Sequence, residues 1–251
     1  MKKTYKKIEA NEKYVKEIVT DYEALSERCD EVDVAKDNKL VQEIVVALKN
    51  TIRANDNMLG LSANQIGYNK RIVCLNFNNN IRTFVNPIIT NFAGMELSRE
   101  KCHSIGETEY IRLRNSSIDI TFQTPLGNIQ DTKLVGLAAV IMQHHIDHLD
   151  GLLISDVGLE ILPEFDAATE EERQEVINMY LDSLDMISES YMNDVEETEE
   201  GKQLLDAVKF IQSVQKGETI VERVPMTEEE IQAAKKMEET LSETEDETLE
   251  D

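Results

Sequence analysis

In the stretch QHHIDHLDG, residues 143–151, three of the chain's four histidines fall within five positions. His144 and His148 are four apart, the spacing that sets two imidazoles on one helix face and lets both reach one metal ion. In the zinc-hydrolase helix motif the residue after the first histidine is a glutamate that acts as general base. Here that residue is His145. Leu137 and Ile141 share the stripe of His144 and His148, so the pair faces inward. Two inward histidines can also be plain core residues, since burial demands only a partner for each ring nitrogen. A third ligand decides between these readings, and a free cysteine in a polar turn is a candidate. Cys102 lies in Glu100-Lys101-Cys102-His103-Ser104, just after an extended segment, among charged and polar neighbours. Such surroundings suit a small buried hydrophobe poorly, whereas Cys74 in an apolar run, and Cys29, fit that role.

The elements that must position these residues can be read from periodicity. Val41, Ile44, Val45, Leu48 and Ile52 predict an amphipathic helix over residues 39–54. RIVCLNF (71–77) reads as a strand, Asn78-Asn79-Asn80 as a turn, and FVNPIITNF (84–92) as an extended segment that Pro87 makes irregular or places at an edge. Ile118, Ile120 and Phe122 alternate with polar residues like a half-buried strand, and Pro125-Leu126-Gly127-Asn128 turns the chain. Helical spacing returns at Leu137, Ile141, His144 and His148. This first part, residues 1–165, is therefore an α+β domain. The three cysteines are too scattered for a disulfide framework, which points to a reducing cytoplasm. No segment reaches 18 apolar residues, so no membrane span is expected, and the basic start lacks the apolar stretch of a signal peptide.

Charge divides the chain. Residues 166–251 hold 27 of the 50 acids and 7 of the 26 bases, a net −20 out of −24. The break near Pro163 predicts an acidic helical extension over 166–241 and a disordered acidic tail over 242–251. Ile177, Tyr180, Leu184, Ile187 and Tyr191 form one apolar seam, able to pack on a partner or on the domain itself. Leu204, Val208 and Ile211 suggest a second helix, and Thr227-Glu228-Glu229-Glu230 is a capping box opening a third. A solubilising tail is the plain reading of this composition.

Three segments carry a family resemblance. GLSANQIG (60–67), EKCHS (100–104) and QHHIDHLDG are similar, in order and spacing, to the three signature segments of peptide deformylases, G-x-G-L-A-A-x-Q, E-G-C-L-S and Q-H-E-x-D-H. Lys70-Arg71-Ile72-Val73 and Val85-Asn86-Pro87 match as flanking pieces, and the resemblance spans roughly residues 18–160. It implies the deformylase fold, with antiparallel and mixed sheets around a central metal-binding helix. It implies Cys102, His144 and His148 as ligands of one divalent metal, Fe²⁺ in the usual family member, with Zn²⁺, Ni²⁺ or Co²⁺ able to take its place. Gln65 and the backbone N–H of His103 would be the oxyanion donors. Leu59, Gly60 and Lys101 would line the groove where the substrate backbone approaches, and Asp147 would hold an imidazole tautomer from outside the ligand set.

The departures are as specific as the matches. His145 stands where the family has its catalytic glutamate, Lys101 replaces the glycine before the cysteine, His103 the leucine after it, and Met58 the first glycine. Glu109 stands where some members place an arginine. A neutral imidazole can accept and donate a proton, but a nearby cation weakens it as a base. The expected function is removal of formyl from the N-terminal formyl-methionine of nascent polypeptides. The alternative is a catalytically weak deformylase-like protein that binds metal and peptide and interacts through its acidic tail. A tail of −20 is repelled by rRNA phosphate even if the protein works near the ribosome, so a partner for residues 170–241 would be basic or apolar.

Overall fold

The computed structural model describes residues 8–77 and 79–195, with side chains described as far as residue 184. In chain order the elements are α1 (Tyr22–Leu25), α2 (Asn38–Ala54), β1 (Gly60–Ser62), β2 (Ile72–Phe77), β3 (Asn80–Ala93), β4 (Glu96–Lys101), β5 (Glu109–Arg114), β6 (Ser117–Gln123), β7 (Ile129–Val135), α3 (Leu137–Leu149), α4 (Ile154–Val157), β8 (Leu159–Ile161), α5 (Pro163–Ala167) and α6 (Glu170–Val195). A short 3₁₀ helix, Ala63–Ile66, follows β1. The α+β reading holds. The readings of second and third helices near 204–211 and 227, and of the tail over 242–251, lie outside the described residues.

Five strands form one antiparallel sheet in the order β1-β2-β3-β6-β7, and three form a smaller one, β4-β5-β8. The run RIVCLNF lacks alternation because β2 is covered on both faces. Ile72 and Cys74 join the cluster of α2, with Val41, Ile44, Leu48 and Ile52. Val73 and Leu75 join the cluster of α3, with Ala139, Met142, Ile146 and Leu149. Helix α3 thus lies on the sheet with its apolar stripe buried, and its other side faces β4 and the turn that follows.

Pro87 sits in β3, the middle strand of the larger sheet, not at an edge. A central strand tolerates proline only where the ladder is interrupted, and the β3–β6 pairing does shift between Val85 and Ile88. Asn86 bridges the gap with a positive φ of 48°. Its side chain accepts from Val32 N (2.9 Å) and donates to Val32 O (2.8 Å) and Gln123 Oε1 (3.1 Å).

Candidate metal centre

The ligand atoms of Cys102, His144 and His148 lie within 4.8 Å of one another, and all three residues are buried. Cys102 follows the end of β4, where Ile105 N and Gly106 N both donate to its carbonyl at 3.0 Å and close a tight turn. The two histidines come from successive turns of α3, as the i, i+4 spacing requires. Cys102 Sγ stands 3.1 Å from His148 Nε2. Burial alone would raise the Cys102 thiol, but contacts with His144 and His148 outweigh it and bring the group down to about 5. A thiolate and two imidazoles converging in a buried space are a donor set that fits a divalent transition metal.

A second layer of hydrogen bonds fixes these side chains. His144 Nδ1 meets Glu100 Oε2 at 2.9 Å, leaving the other ring nitrogen for the centre. Glu100 is gripped in turn by Arg114, through Nε (2.8 Å) and Nη2 (3.1 Å). Arg114 Nη1 reaches Asp147 Oδ2 at 2.5 Å. Burial works against the Glu100 carboxylate, yet His144 and Arg114 hold it well below its usual range. Asp147 was expected to hold an imidazole; its hydrogen bond goes to Arg114, and the carboxylate bonded to His144 is that of Glu100. Asn64 Nδ2 donates to the His148 carbonyl at 2.7 Å. Gln143, the first residue of the histidine motif, clamps the β5–β6 turn by accepting from Asn115 N (3.0 Å) and donating to Asn115 O (2.8 Å).

Gln65 is aimed at the centre. Its amide oxygen accepts from Ser62 N (3.1 Å) and Ser62 Oγ (2.9 Å), which turns the amide nitrogen toward Cys102 Sγ (3.7 Å) and Ser104 Oγ (3.2 Å). His145 lies beside the ligand set but outside it. Its ring centroid is 5.3 Å from that of His144 and 6.2 Å from that of His148, and its edge rests on Gly60. A Cβ at Gly60 would fall 2.3 Å from His145 Nε2. Burial, then the neighbouring His144 and His148, push the His145 pKa well below the ordinary histidine value. His145 Nδ1 has no partner among the described residues. At the rim, Leu59 is exposed, and Lys101 reaches Glu107 (3.6 Å) and Glu109 (3.4 Å) across the β4–β5 pair. The side chain of His103 is exposed.

The structure thus brings Gln65, Cys102, His144, His145 and His148 into one buried cluster next to Gly60, with Lys101 at its edge. Reading the sequence without a fold missed Glu100 and Arg114. Glu100 stands two residues before Cys102, but nothing in the sequence marks Arg114 as its partner, because the pairing arises only when β4 and β5 align.

A family profile for polypeptide deformylase matches residues 15–159. A peptide deformylase of Dictyoglomus turgidum is 34% identical over 128 residues, covering 49% of this chain and 84% of that protein. One from Clostridium beijerinckii is 31% identical over 141 residues, covering 56% of this chain and 99% of that protein. Among solved structures, the peptide deformylase of Thermotoga maritima superposes with a TM-score of 0.53 at 27% identity, over 57% of this chain and 96% of that one. The match covers all three signature segments and ends where the acidic composition begins, and by it the chain belongs to the polypeptide deformylase family.

Proposed function

We propose that this protein removes the formyl group from the N-terminal formyl-methionine of nascent polypeptides in the cytoplasm. Cys102, His144 and His148 would hold one divalent metal, Fe²⁺ in the first instance, with Zn²⁺, Ni²⁺ or Co²⁺ compatible with the same donors. When bound, the metal supplies a Lewis acid and makes water ionise near neutral pH. The convergence of the Gln65 amide nitrogen and the three ligand atoms on one buried point carries this reading.

Each residue then has a task. The Gln65 amide donates to the formyl oxygen as negative charge develops there, and the His103 backbone N–H is the second donor. Ser62 keeps the Gln65 amide the right way round, because its N–H and hydroxyl both claim the amide oxygen. His145, at the place of the family glutamate, takes a proton from the attacking water and returns one to the leaving amine. It is neutral and so free to accept a proton, but its depressed pKa makes it a weak base. Leu59 and Gly60 form the wall along which the peptide backbone lies, and Lys101 stands at the mouth.

The test is metal content and formyl-Met-Ala-Ser hydrolysis on one anaerobically purified sample. One metal ion per chain and measurable turnover are expected. Cys102→Ser should lose most of the metal, since serine offers no thiolate at neutral pH; full occupancy in that variant would rule out this ligand set. Metal-loaded but inert wild type, His145→Glu and Lys101→Gly/His145→Glu would overturn the hydrolase and favour a metal- and peptide-binding role.

A further inference from the structure

The family match stops at residue 159, yet the ordered contacts around the centre do not. Strand β8 (Leu159–Ile161) pairs with β5, setting Ile161 opposite Glu109 and Leu159 opposite Ile111. Just beyond it, Asp166 of α5 takes the guanidinium of Arg99, on β4, with both oxygens, at 3.0 and 2.8 Å, while Arg99 Nε reaches Glu109 on β5. Farther on, Tyr180 of α6 is 8% exposed, and its hydroxyl donates to Val157 O at 3.0 Å. The same carbonyl accepts from Arg112 Nη1 at 2.7 Å. Val157 ends α4, and α4 begins with Ile154, which packs in one cluster with Cys102 and Tyr110. Tyr180 therefore stands a single short helix away from the thiol.

The sequence of α6 supports this attachment. Ile177, Tyr180, Leu181 and Leu184 recur at three and four, and they are the apolar positions of its described part that are covered. Glu171, Glu172, Glu175, Met179 and Asp182 face outward. A half-exposed ion pair contributes little to stability. The Arg99–Asp166 contact matters for geometry instead, because a two-pronged pair fixes a guanidinium in one orientation. Tyr180 is the stronger anchor, being buried and hydrogen-bonded.

We propose that Tyr180 and Asp166 are positioning residues for the metal centre. They brace, from outside the family's common core, the β4–β5–β8 sheet that delivers Cys102 and carries Glu100 and Arg114. The proposal rests on the Cys102, His144 and His148 ligand reading, but its test needs no substrate. In the full chain, Tyr180→Phe removes only the hydroxyl and Asp166→Asn only the charge. Each should speed transfer of bound Co²⁺ to a chelator about two- to five-fold, and the double variant about ten-fold. These are the factors expected from losing one or two modest hydrogen bonds. The midpoint of thermal unfolding should move by no more than about 3 °C. Asp182→Asn, on the outer face of the same helix, should match wild type. Amide hydrogen exchange of Glu96–Lys101 and Glu109–Arg114 gives a readout in the metal-free protein, where the double variant should exchange faster. The proposal is overturned if the double variant releases metal and exchanges these amides at the wild-type rates. It is equally overturned if faster release merely follows a proportionate loss of global stability.

Discussion

His145 stands where the peptide deformylase motif has a glutamate, and its surroundings predict how that replacement can be reversed. The ring is buried and edge-on to Gly60, and burial and the neighbouring histidines hold its pKa well below the ordinary histidine value. A carboxylate at the same position would be attracted by the divalent cation, whereas an imidazole that must become cationic as it takes a proton is repelled. His145→Glu should therefore raise turnover of formyl-Met peptides about ten-fold or more, within the range of a positioned acid–base group. The gain should appear in kcat with KM little changed, since the group acts on water and leaving amine. A fall in kcat would mean that His145 is an adapted base and not a handicap. Gly60 supplies a second prediction. A methyl group there would collide with His145 Nε2 and Cδ2 and with Leu75 Cδ2, at 2.3, 2.7 and 2.9 Å. Gly60→Ala should cost about 1–3 kcal/mol of stability through overpacking. In a His145→Ala background the cost should shrink by about 1 kcal/mol or more, which a double-mutant cycle would read. The Cys102, His144 and His148 cluster was legible in the sequence because i, i+4 is a local relation and Cys102 stood out in a polar turn. The seat of His145 on Gly60 joins residues 85 positions apart, and no local pattern carries it.

At the scale of elements, helices α2 and α3 and strands β2, β3 and β6 were legible, while β1, β7 and the smaller sheet were not. Helix α2 was expected over 39–54 and runs Asn38–Ala54; β2 and β6 begin within a residue of the runs that predicted them. Strands β4 and β5 went unread because ELSREK and EYIRLR are dominated by charge. Their charges are spent on one another and on the centre. Glu100 and Arg114 are nearly buried, and Asp147 and His144 close the network from α3. A buried ion network is destabilised most when one member is removed and the rest stay charged. Arg114→Met should thus lower stability by about 3–5 kcal/mol, by leaving Glu100 and Asp147 without their cation. Glu100→Gln should be milder in unfolding but should weaken metal binding about ten- to hundred-fold, the usual cost of losing the group that orients a ligating imidazole. Equilibrium denaturation and competitive metal titration on the same two variants would separate these effects. Equal metal affinity in Glu100→Gln and wild type would remove Glu100 from any role at His144.

For the whole molecule, the charge break near Pro163 and the limit of the packed structure do not coincide. Composition changes at residue 163, but α5 is joined to the small sheet through Asp166 and the first half of α6 to α4 through Tyr180. Charge is a property of the exposed face, and α6 can carry glutamates there while its other face stays apolar, so counting acids marks the surface and misses the seam. The chain should respond differently to two truncations. Ending it at Val195 removes 18 acids and 6 bases, which halves the net charge from −24 to −12. Less self-repulsion should then keep the unfolding midpoint within about 3 °C of full length, with metal retained. Ending it at Glu164 removes the buried Tyr180 and its hydrogen bond to Val157. Losing the burial of one tyrosine and its aliphatic neighbours costs at least about 2–3 kcal/mol, a fall of roughly 5–10 °C for a domain of this size. Thermal unfolding and metal content of the two truncated proteins would decide the matter. If the shorter one is as stable and as fully metal-loaded as the longer, α6 is a passenger on the domain, and the composition break marks the true edge of the fold.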